Sequence, residues 1–408
     1  MISQKKIKIL QINTVVNSGS IGRIAEGIGQ LAIHNGSESY IAYGRNERPS
    51  QSKLIKIGSV LDVSVHVLQT RFFDRHGLGS SRSTQRFIKQ IEEIKPDIIH
   101  LHNIHGYYLN INIFFKYLEK ADIPVVWTLH DCWPITGHCT NFESANCQKW
   151  KMLCSDCPQT KSYPASLFVD RSEKNYLLKK EIFTSIRRMV IVPVSEWLRR
   201  ILSESFLSQY PIQIINTGID TNMFKPVSAD RFREKYKIKE KFIILGVASA
   251  WIPSKGFLDF IKLSKKLDSS SVIVLIGVTN SQIKTLPSNM IGILRTENVR
   301  ELAEAYSAAN VFLNPTYEDN FPTTNLEALA CGVPVVTYKT GGSVESVSSE
   351  TGFTVEKGDI VGLFKIINII QKNEKVQYSE KCIERVKKLY DKNDRYSDYL
   401  NLYHKLIY

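Results

Sequence analysis

Short apolar runs separated by helical-period stretches dominate this chain. In the first half the clearest runs are Lys8–Ile12, Tyr40–Tyr43, Ile98–Leu101, Val125–Leu129 and Met189–Val192, with helical patterns around residues 21–34, 84–94 and 110–120 between them. Runs this short and this rich in Val and Ile read as strands buried on both faces. Strands alternating with helices predict a parallel, doubly wound sheet. The alternation restarts after residue 237 with Phe242–Val247, Val272–Ile276, Ile291–Ile293 and Val311–Leu313. Ser195 is placed to cap a helix over the following residues, and Lys375–Tyr408 reads as two helices. A length of 408 residues exceeds what one core usually supports. The expected architecture is therefore α/β with two Rossmann-like doubly wound domains, 1–205 and 206–390, joined near residues 206–240.

Composition narrows the class. A hydrophobic content of 43% and a charged content of 23% are those of a globular chain. No apolar run approaches the roughly 18 residues that would span a bilayer. The start, MISQKKIKILQINT, passes from charge into a strand with no signal-peptide pattern, so a cytoplasmic location is expected. A net charge of +13 favours anionic partners: nucleoside diphosphates, acidic lipid headgroups or nucleic acid. Nucleic acid is not expected, because no nucleic-acid module with interleaved aromatics is present.

The stretch richest in candidate chemistry is Asn314–Val347, which reads as strand, loop, helix, tight turn and strand, then a second Gly loop. Thr324 and Glu327 have the spacing of a capping box, and Gly332 follows Cys331 as a helix stop. A loop feeding a helix N-terminus at the carboxyl end of a parallel strand is where α/β proteins bind phosphates. Asp319 and Glu327 beside it would accept hydrogen bonds from a polyhydroxylated ligand. The bland alternatives are a capping acceptor for Glu327 and solvated loop charges for Glu318 and Asp319. Upstream, Gly19 and Gly22 in Asn17–Arg23 form a Gly loop between a strand and a helix, although as a dinucleotide fingerprint it lacks the third Gly. His130, with Asp131, ends the Val125–Leu129 strand, and either a structural or a ligand-contacting histidine fits there.

The Asn314–Val347 stretch resembles the donor-site motif of retaining GT-B glycosyltransferases of family 4: an acid, seven residues, Glu, a small-residue helix, Cys-Gly, Pro-Val and a Gly-Gly turn. Asp319-x7-Glu327 fits, with Asp where the family usually has Glu. The resemblance covers nearly the whole chain. It implies two domains facing across a cleft, with a last helix, residues 391–408, crossing back onto the first domain. The implied donor is a nucleoside-diphosphate sugar (UDP- or GDP-sugar), held without an obligatory catalytic divalent metal. Asp319 would hold sugar hydroxyls, Glu327 the ribose and His130 the sugar. Asn320, Phe321, Thr323 and Thr324 would line the donor loop, and Gly19 and Gly22 would lie opposite the diphosphate. The family places an Arg and a Lys after the first strand of the second domain. Lys255 fits the Lys, the Arg position falls near Ser249, and Arg295 is the candidate either to supply that second charge or to line the nucleobase pocket.

Five of the seven cysteines fall within 132–158, and Cys139-x7-Cys147-x6-Cys154-x2-Cys157 offers four thiolates for a structural zinc. Free or redox-paired thiols are the alternative. Some bacterial exopolysaccharide glycosyltransferases of the colanic acid type have a similar segment, which implies surface-polysaccharide synthesis (capsule, O-antigen or exopolysaccharide). It also implies a glycan acceptor, lipid-linked, at the inner face of the cell membrane. Arg187, Arg188, Arg199 and Arg200 are the expected basic, membrane-facing surface. Two other functions stay open on the sequence alone: a nucleotide-sugar 2-epimerase on the same fold, and a non-catalytic zinc-stabilised adaptor.

Overall fold

The computed structural model describes residues 6–373 and 375–408, so the first five residues of the N-terminal stretch lie outside the description. The chain divides into two compact units: residues up to Asn216 together with Asn393–Tyr408, and Thr217–Lys392.

Unit 1 carries strands β1 (Lys8–Asn13), β2 (Glu38–Tyr43), β3 (Lys53–Lys56), β4 (Ile98–Leu101), β5 (Val125–Leu129) and β6 (Met189–Pro193). Its helices are α1 (Gly19–His34), α2 (Val60–Phe73), α3 (Ser81–Ile94), α4 (Ile111–Ala121), α5 (Ser172–Phe183) and α6 (Glu196–Ser203). All strands run parallel, in the order β3-β2-β1-β4-β5-β6. The sheet is covered on both faces, which is why β4, β5 and β6 are buried at every position. Ile24 and Ile28 of α1 join Ile9, Ile98 and Val126 in one core layer. Trp127 of β5 packs between Phe115 of α4 and Phe183 of α5, with ring centroids 5.5 and 4.8 Å away. Ser195 caps α6 as its position suggested, its Oγ accepting from the Leu198 N–H (3.1 Å).

Unit 2 carries β7 (Phe242–Val247), β8 (Ser271–Ile276), β9 (Met290–Ile293), β10 (Val311–Asn314), β11 (Val335–Tyr338) and β12 (Gly352–Val355). Its helices are α7 (Asp230–Lys235), α8 (Phe257–Ser264), α9 (Asn280–Ile283), α10 (Val299–Ala308), α11 (Thr323–Ala330), α12 (Ile360–Asn373) and α13 (Val376–Leu389). The sheet order is β12-β11-β10-β7-β8-β9, again parallel. The final helix, α14 (Lys392–Ile407), packs almost wholly in unit 1. Tyr396, Tyr399, Leu400 and Tyr403 join the α1 core layer, and the Thr128 hydroxyl donates to Tyr399 Oη (3.1 Å).

Elements that the sequence pattern did not pick out include edge strands β3 and β12 and helices α2, α5, α7, α9, α10 and α12. Edge strands β3 and β12 are four residues long, too short for a periodic signal. Helix α2 lacks the usual polar-out, apolar-in alternation altogether, because its buried residues are His66 and Thr70.

Candidate active site

In unit 2 the site residues converge because loops from two adjacent strands meet. β7 and β10 are hydrogen-bonded neighbours, so the loops after them share one edge of the sheet. The loop after β7 makes a single turn at Pro253–Lys255 and then passes Gly256, whose φ is +74°. A Cβ there would stand 2.2 Å from the Pro315 carbonyl, so only glycine allows the two loops to touch. The Tyr317 N–H donates to the Ser254 carbonyl (2.7 Å) and completes the contact.

Lys255 is thereby aimed at the second loop. Its Nζ donates to Asp319 Oδ2 (2.7 Å) and to the Glu318 carbonyl (3.3 Å). Asp319 Oδ1 accepts from the Phe321 N–H (3.2 Å), and the Asp319 carbonyl accepts from the Gly342 N–H (3.2 Å), which joins the loop after β11 to the loop between β10 and α11. Thr323 and Thr324, both partly exposed, open α11 immediately beyond. Asn325 holds that helix in place: its Oδ1 accepts from Asn314 Nδ2 (2.9 Å), while its own Nδ2 donates to the Ser346 hydroxyl (2.9 Å).

The geometry corrects several expectations. The capping box at Thr324 and Glu327 does not form, since Pro322 occupies the N-cap position with no side-chain cap bond. Glu327 is instead buried, and its Oε2 accepts from the Tyr306 hydroxyl (2.8 Å), an acceptor that, together with burial, pushes the phenol pKa well up. Phe321 is buried against Tyr390 (5.6 Å between centroids), so its side chain is core and its backbone N–H serves Asp319. Asn320 is partly exposed in the same loop. Arg295 is exposed just beyond edge strand β9, and β8 lies between that strand and β7.

In unit 1 the corresponding sheet edge is lined by histidines. His130 follows β5, and its Nε2 lies 3.4 Å from His102 Nδ1, while His102 Nε2 lies 3.1 Å from Gln11 Oε1. Burial holds the His130 pKa down to about 4, and it holds His102 well below the ordinary value, so both rings are neutral near pH 7. His105 Nε2 pairs with Asp131 Oδ2 at 2.7 Å, and Asp131 Oδ1 accepts from the Trp133 N–H (3.0 Å). Burial opposes ionisation of Asp131, but His105, the Trp133 N–H and His130 outweigh it and keep its pKa below the usual carboxylate range. His102 and His105 were missed in the sequence, although His100-x-His102-x2-His105 at the end of β4 is a visible signal. Gly19 starts α1 with φ +62° facing open space, whereas a Cβ on Gly22 would press on Val15 at 3.0 Å. Gly19 is thus the open element of the loop, and Gly22 lets the loop fold against itself.

Cys139, Cys147, Cys154 and Cys157 do gather around one cavity, shared with His138, Phe142 and Trp150. The Cys139 thiol bonds to Cys157 and draws it down to about 7, while burial pushes Cys154 up to about 11. Among the described residues, however, no three His, Cys, Asp or Glu side chains are disposed to hold a metal ion. The four thiols therefore share a cavity without forming the zinc ligand set that their spacing suggested. The four arginines expected to form a basic surface are largely engaged: Arg187 with Asp122 (2.9 Å), Arg188 with the Leu406 carbonyl (2.6 Å) and Arg199 with Glu196 (2.8 Å).

Two parallel doubly wound units, one bearing a lysine and carboxylates beside a helix start at its strand ends, have the architecture in which α/β enzymes place their sites. Comparison with known proteins gives the family. Residues 35–223 match the model of Glycosyltransferase Family 4, and residues 228–389 match that of Glycosyl transferases group 1. Taken together, the two matches and the fold make the chain a family 4-like glycosyltransferase of the GT-B fold. It is 24% identical over 375 residues to WcaC of Escherichia coli (strain K12), a protein assigned to colanic acid biosynthesis as a glycosyl transferase, covering 88% of this chain and 90% of that one. It is 26% identical to the N,N'-diacetylbacillosaminyl-diphospho-undecaprenol alpha-1,3-N-acetylgalactosaminyltransferase of Campylobacter jejuni, over 48% of this chain and 54% of that one. Among solved structures it shares its fold with sucrose-phosphate synthase from Thermosynechococcus elongatus (TM-score 0.74, 16% identity, 98% and 99% of the two chains). Anabaena HepE in complex with UDP also shares it (TM-score 0.67, 15% identity, 98% and 99%).

Proposed function

We propose that this enzyme moves a hexosyl group from a UDP- or GDP-sugar to a glycan acceptor on a lipid carrier, with retention of configuration. The product would be a surface polysaccharide of the capsule, O-antigen or exopolysaccharide kind. The observation that carries the reading is Lys255 held at 2.7 Å from Asp319 beside the start of α11. A diphosphate placed there meets an ammonium and the N-terminal N–H groups of a helix, which stabilise the charge that develops as it leaves. These groups supply the positive charge that a divalent ion would otherwise provide. Asp319 holds sugar hydroxyls and Glu327 the ribose, with Thr323, Thr324 and the Asn320 loop around the donor. His130, a neutral imidazole, positions the sugar, and no side chain is assigned as nucleophile. The acceptor oxygen attacks the anomeric carbon on the face from which the diphosphate departs. The C1–O bond to phosphate breaks, and the acceptor proton passes to the leaving phosphate oxygen.

Two names support the finer choices: HepE was solved with UDP, and the Campylobacter relative is named for a diphospho-undecaprenol acceptor. The test is incubation with a panel of UDP- and GDP-sugars and undecaprenyl-diphosphate-linked glycans in the presence of EDTA, with products read by mass and by NMR of the new anomeric centre. Transfer with the donor's anomeric configuration is expected. An inverted product would overturn the mechanism, and isomerised donor without transfer would overturn the reaction.

A further inference from the structure

Gln11 is an uncharged amide in the middle of the first sheet, fully buried on β1 and in register with His100 of β4. Its amide fits in one orientation only. Nε2 donates to the Ala25 carbonyl of α1 (2.7 Å), because the reverse would set two oxygens against each other. Oε1 is therefore the atom that lies 3.1 Å from His102 Nε2. An amide oxygen only accepts, so His102 carries its proton on Nε2.

The next proton follows from that one. His102 is buried between the rings of His100 (3.9 Å between centroids) and His130 (5.7 Å), and burial keeps it neutral. A neutral ring protonated on Nε2 has a bare Nδ1, and that nitrogen lies 3.4 Å from His130 Nε2. His130 is then the hydrogen-bond donor, with its own proton on Nε2. The charge of Asp131 favours a cationic His130, but burial outweighs it, so His130 is neutral as well. Its Nδ1 is left with a lone pair and no proton.

A second chain braces the first. The Tyr403 hydroxyl of α14 meets His100 Nδ1 (2.5 Å), His100 Nε2 meets the Thr128 hydroxyl (2.7 Å), and that hydroxyl donates to Tyr399 Oη (3.1 Å). With the Thr128 proton spent on Tyr399, His100 donates from Nε2 and accepts from Tyr403 at Nδ1. The His100 ring is thus held at both nitrogens against His102. Gln11, His100, His102, Thr128, Tyr399 and Tyr403 are all buried, whereas His130 is partly exposed at the carboxyl end of β5.

We propose that Gln11, acting through His102, is a positioning residue that locks His130 in the Nε2–H tautomer and makes its Nδ1 a hydrogen-bond acceptor only. With His130 positioning the sugar, as proposed above, its partner is a hydroxyl O–H. A carboxylate, carbonyl or ether oxygen at that place would set lone pair against lone pair, so the lock selects against sugars modified there. That partner depends on the nucleotide-sugar reading; the tautomer lock does not.

The test is proton–nitrogen correlation NMR of the full chain labelled with nitrogen-15 histidine, near pH 7 and without nucleotide sugar or acceptor. Protonated and bare ring nitrogens differ in shift, and the signal lost in His130→Gln identifies that ring among the nine. Wild type should show His130 as Nε2–H alone, and Gln11→Glu, which keeps an acceptor for His102, should show the same. Gln11→Met and His102→Phe should each let the Nδ1–H form of His130 appear, with thermal unfolding showing that the variants are folded. If one of them does not fold, the other decides. A wild-type His130 protonated on Nδ1, or a tautomer that neither variant changes, overturns the lock.

Transfer from UDP- and GDP-sugars is measured in parallel. In Gln11→Met kcat should fall about tenfold with KM less changed, the scale of one net hydrogen bond, and Gln11→Glu should restore it. Unchanged kcat in a Gln11→Met protein whose His130 has changed tautomer overturns the positioning role. The expected tautomers with no transfer by the wild type sustain the lock and sink the nucleotide-sugar reading alone.

Discussion

The two units share a parallel, doubly wound architecture and line their strand ends with opposite chemistry. Unit 2 contains no histidine; its candidate site is a charged pair, Lys255 with Asp319, beside a helix start. Unit 1 contains all nine histidines of the chain, and at its strand ends burial keeps His100, His102 and His130 neutral, in contact with one another and with the buried Tyr399 ring. Fixed charge suits a diphosphate, whose own charge does not vary during binding. Neutral imidazoles and one carboxylate suit hydroxyl groups, which need acceptors and donors without a strong field. One fold thus hosts two chemistries through what its loops present.

That contrast can be broken most sharply in unit 2. Asp319→Ala and Glu327→Ala should each lower transfer by about 10²–10³-fold, the scale for removing one preorganised polar partner of a transition state. Full activity in both would refute the site, and steady-state kinetics on purified variants decides it.

Acid should separate the units next. The His66 pKa falls from 6.5 to about 4 through burial, and that of His130 likewise to about 4. Between those values the unfolded imidazole binds a proton that the folded one refuses, so stability falls as pH drops through the window. For His66 alone the shift amounts to about 3 kcal/mol. His138, raised by its Asp74 partner against the effect of burial, works in the opposite sense, yet it is outnumbered. Hydrogen exchange read by mass spectrometry from pH 7 to pH 4.5 should show unit 1 opening before unit 2. Simultaneous loss would contradict the assignment.

A smaller effect is expected at Asn325, fully buried and bonded to Asn314 and Ser346. Asn325→Ala should cost unit 2 about 1–3 kcal/mol, the penalty for stranding buried polar partners. The smallest belongs to Arg187, whose pair with Asp122 is exposed. Arg187→Ala should change stability by less than about 1 kcal/mol. Urea unfolding of the two variants measures both.

The legibility of the two sites in the sequence follows the same division. Unit 2's site is almost contiguous, Asn314–Val347, so strand, loop and helix start could be read in one pass. Lys255 was reachable because it sits just before the start of a helix. What failed there was fine geometry: Glu327 has capping-box spacing, but Pro322 took the N-cap position and Tyr306 claimed the carboxylate. Unit 1's site draws on Gln11, His102, His105, His130 and Asp131, which only the parallel order of β1, β4 and β5 brings together. The strands themselves were plain, because burial on both faces leaves continuous Val and Ile runs. Helix α2 was invisible for the converse reason: its apolar residues face outward, and periodicity reasoning assumes that they face in.

The proposed division, in which unit 2 carries the nucleotide diphosphate and unit 1 does not, is tested most directly by thermal shift. UDP, GDP and ADP are each added to the wild type, Lys255→Ala and His130→Ala. Ligand at 100 times its dissociation constant adds about 2.7 kcal/mol, a shift readily seen. The division predicts that one of UDP and GDP stabilises the wild type and His130→Ala alike and leaves Lys255→Ala unmoved. Stabilisation that survives Lys255→Ala, or that disappears only in His130→Ala, would contradict it.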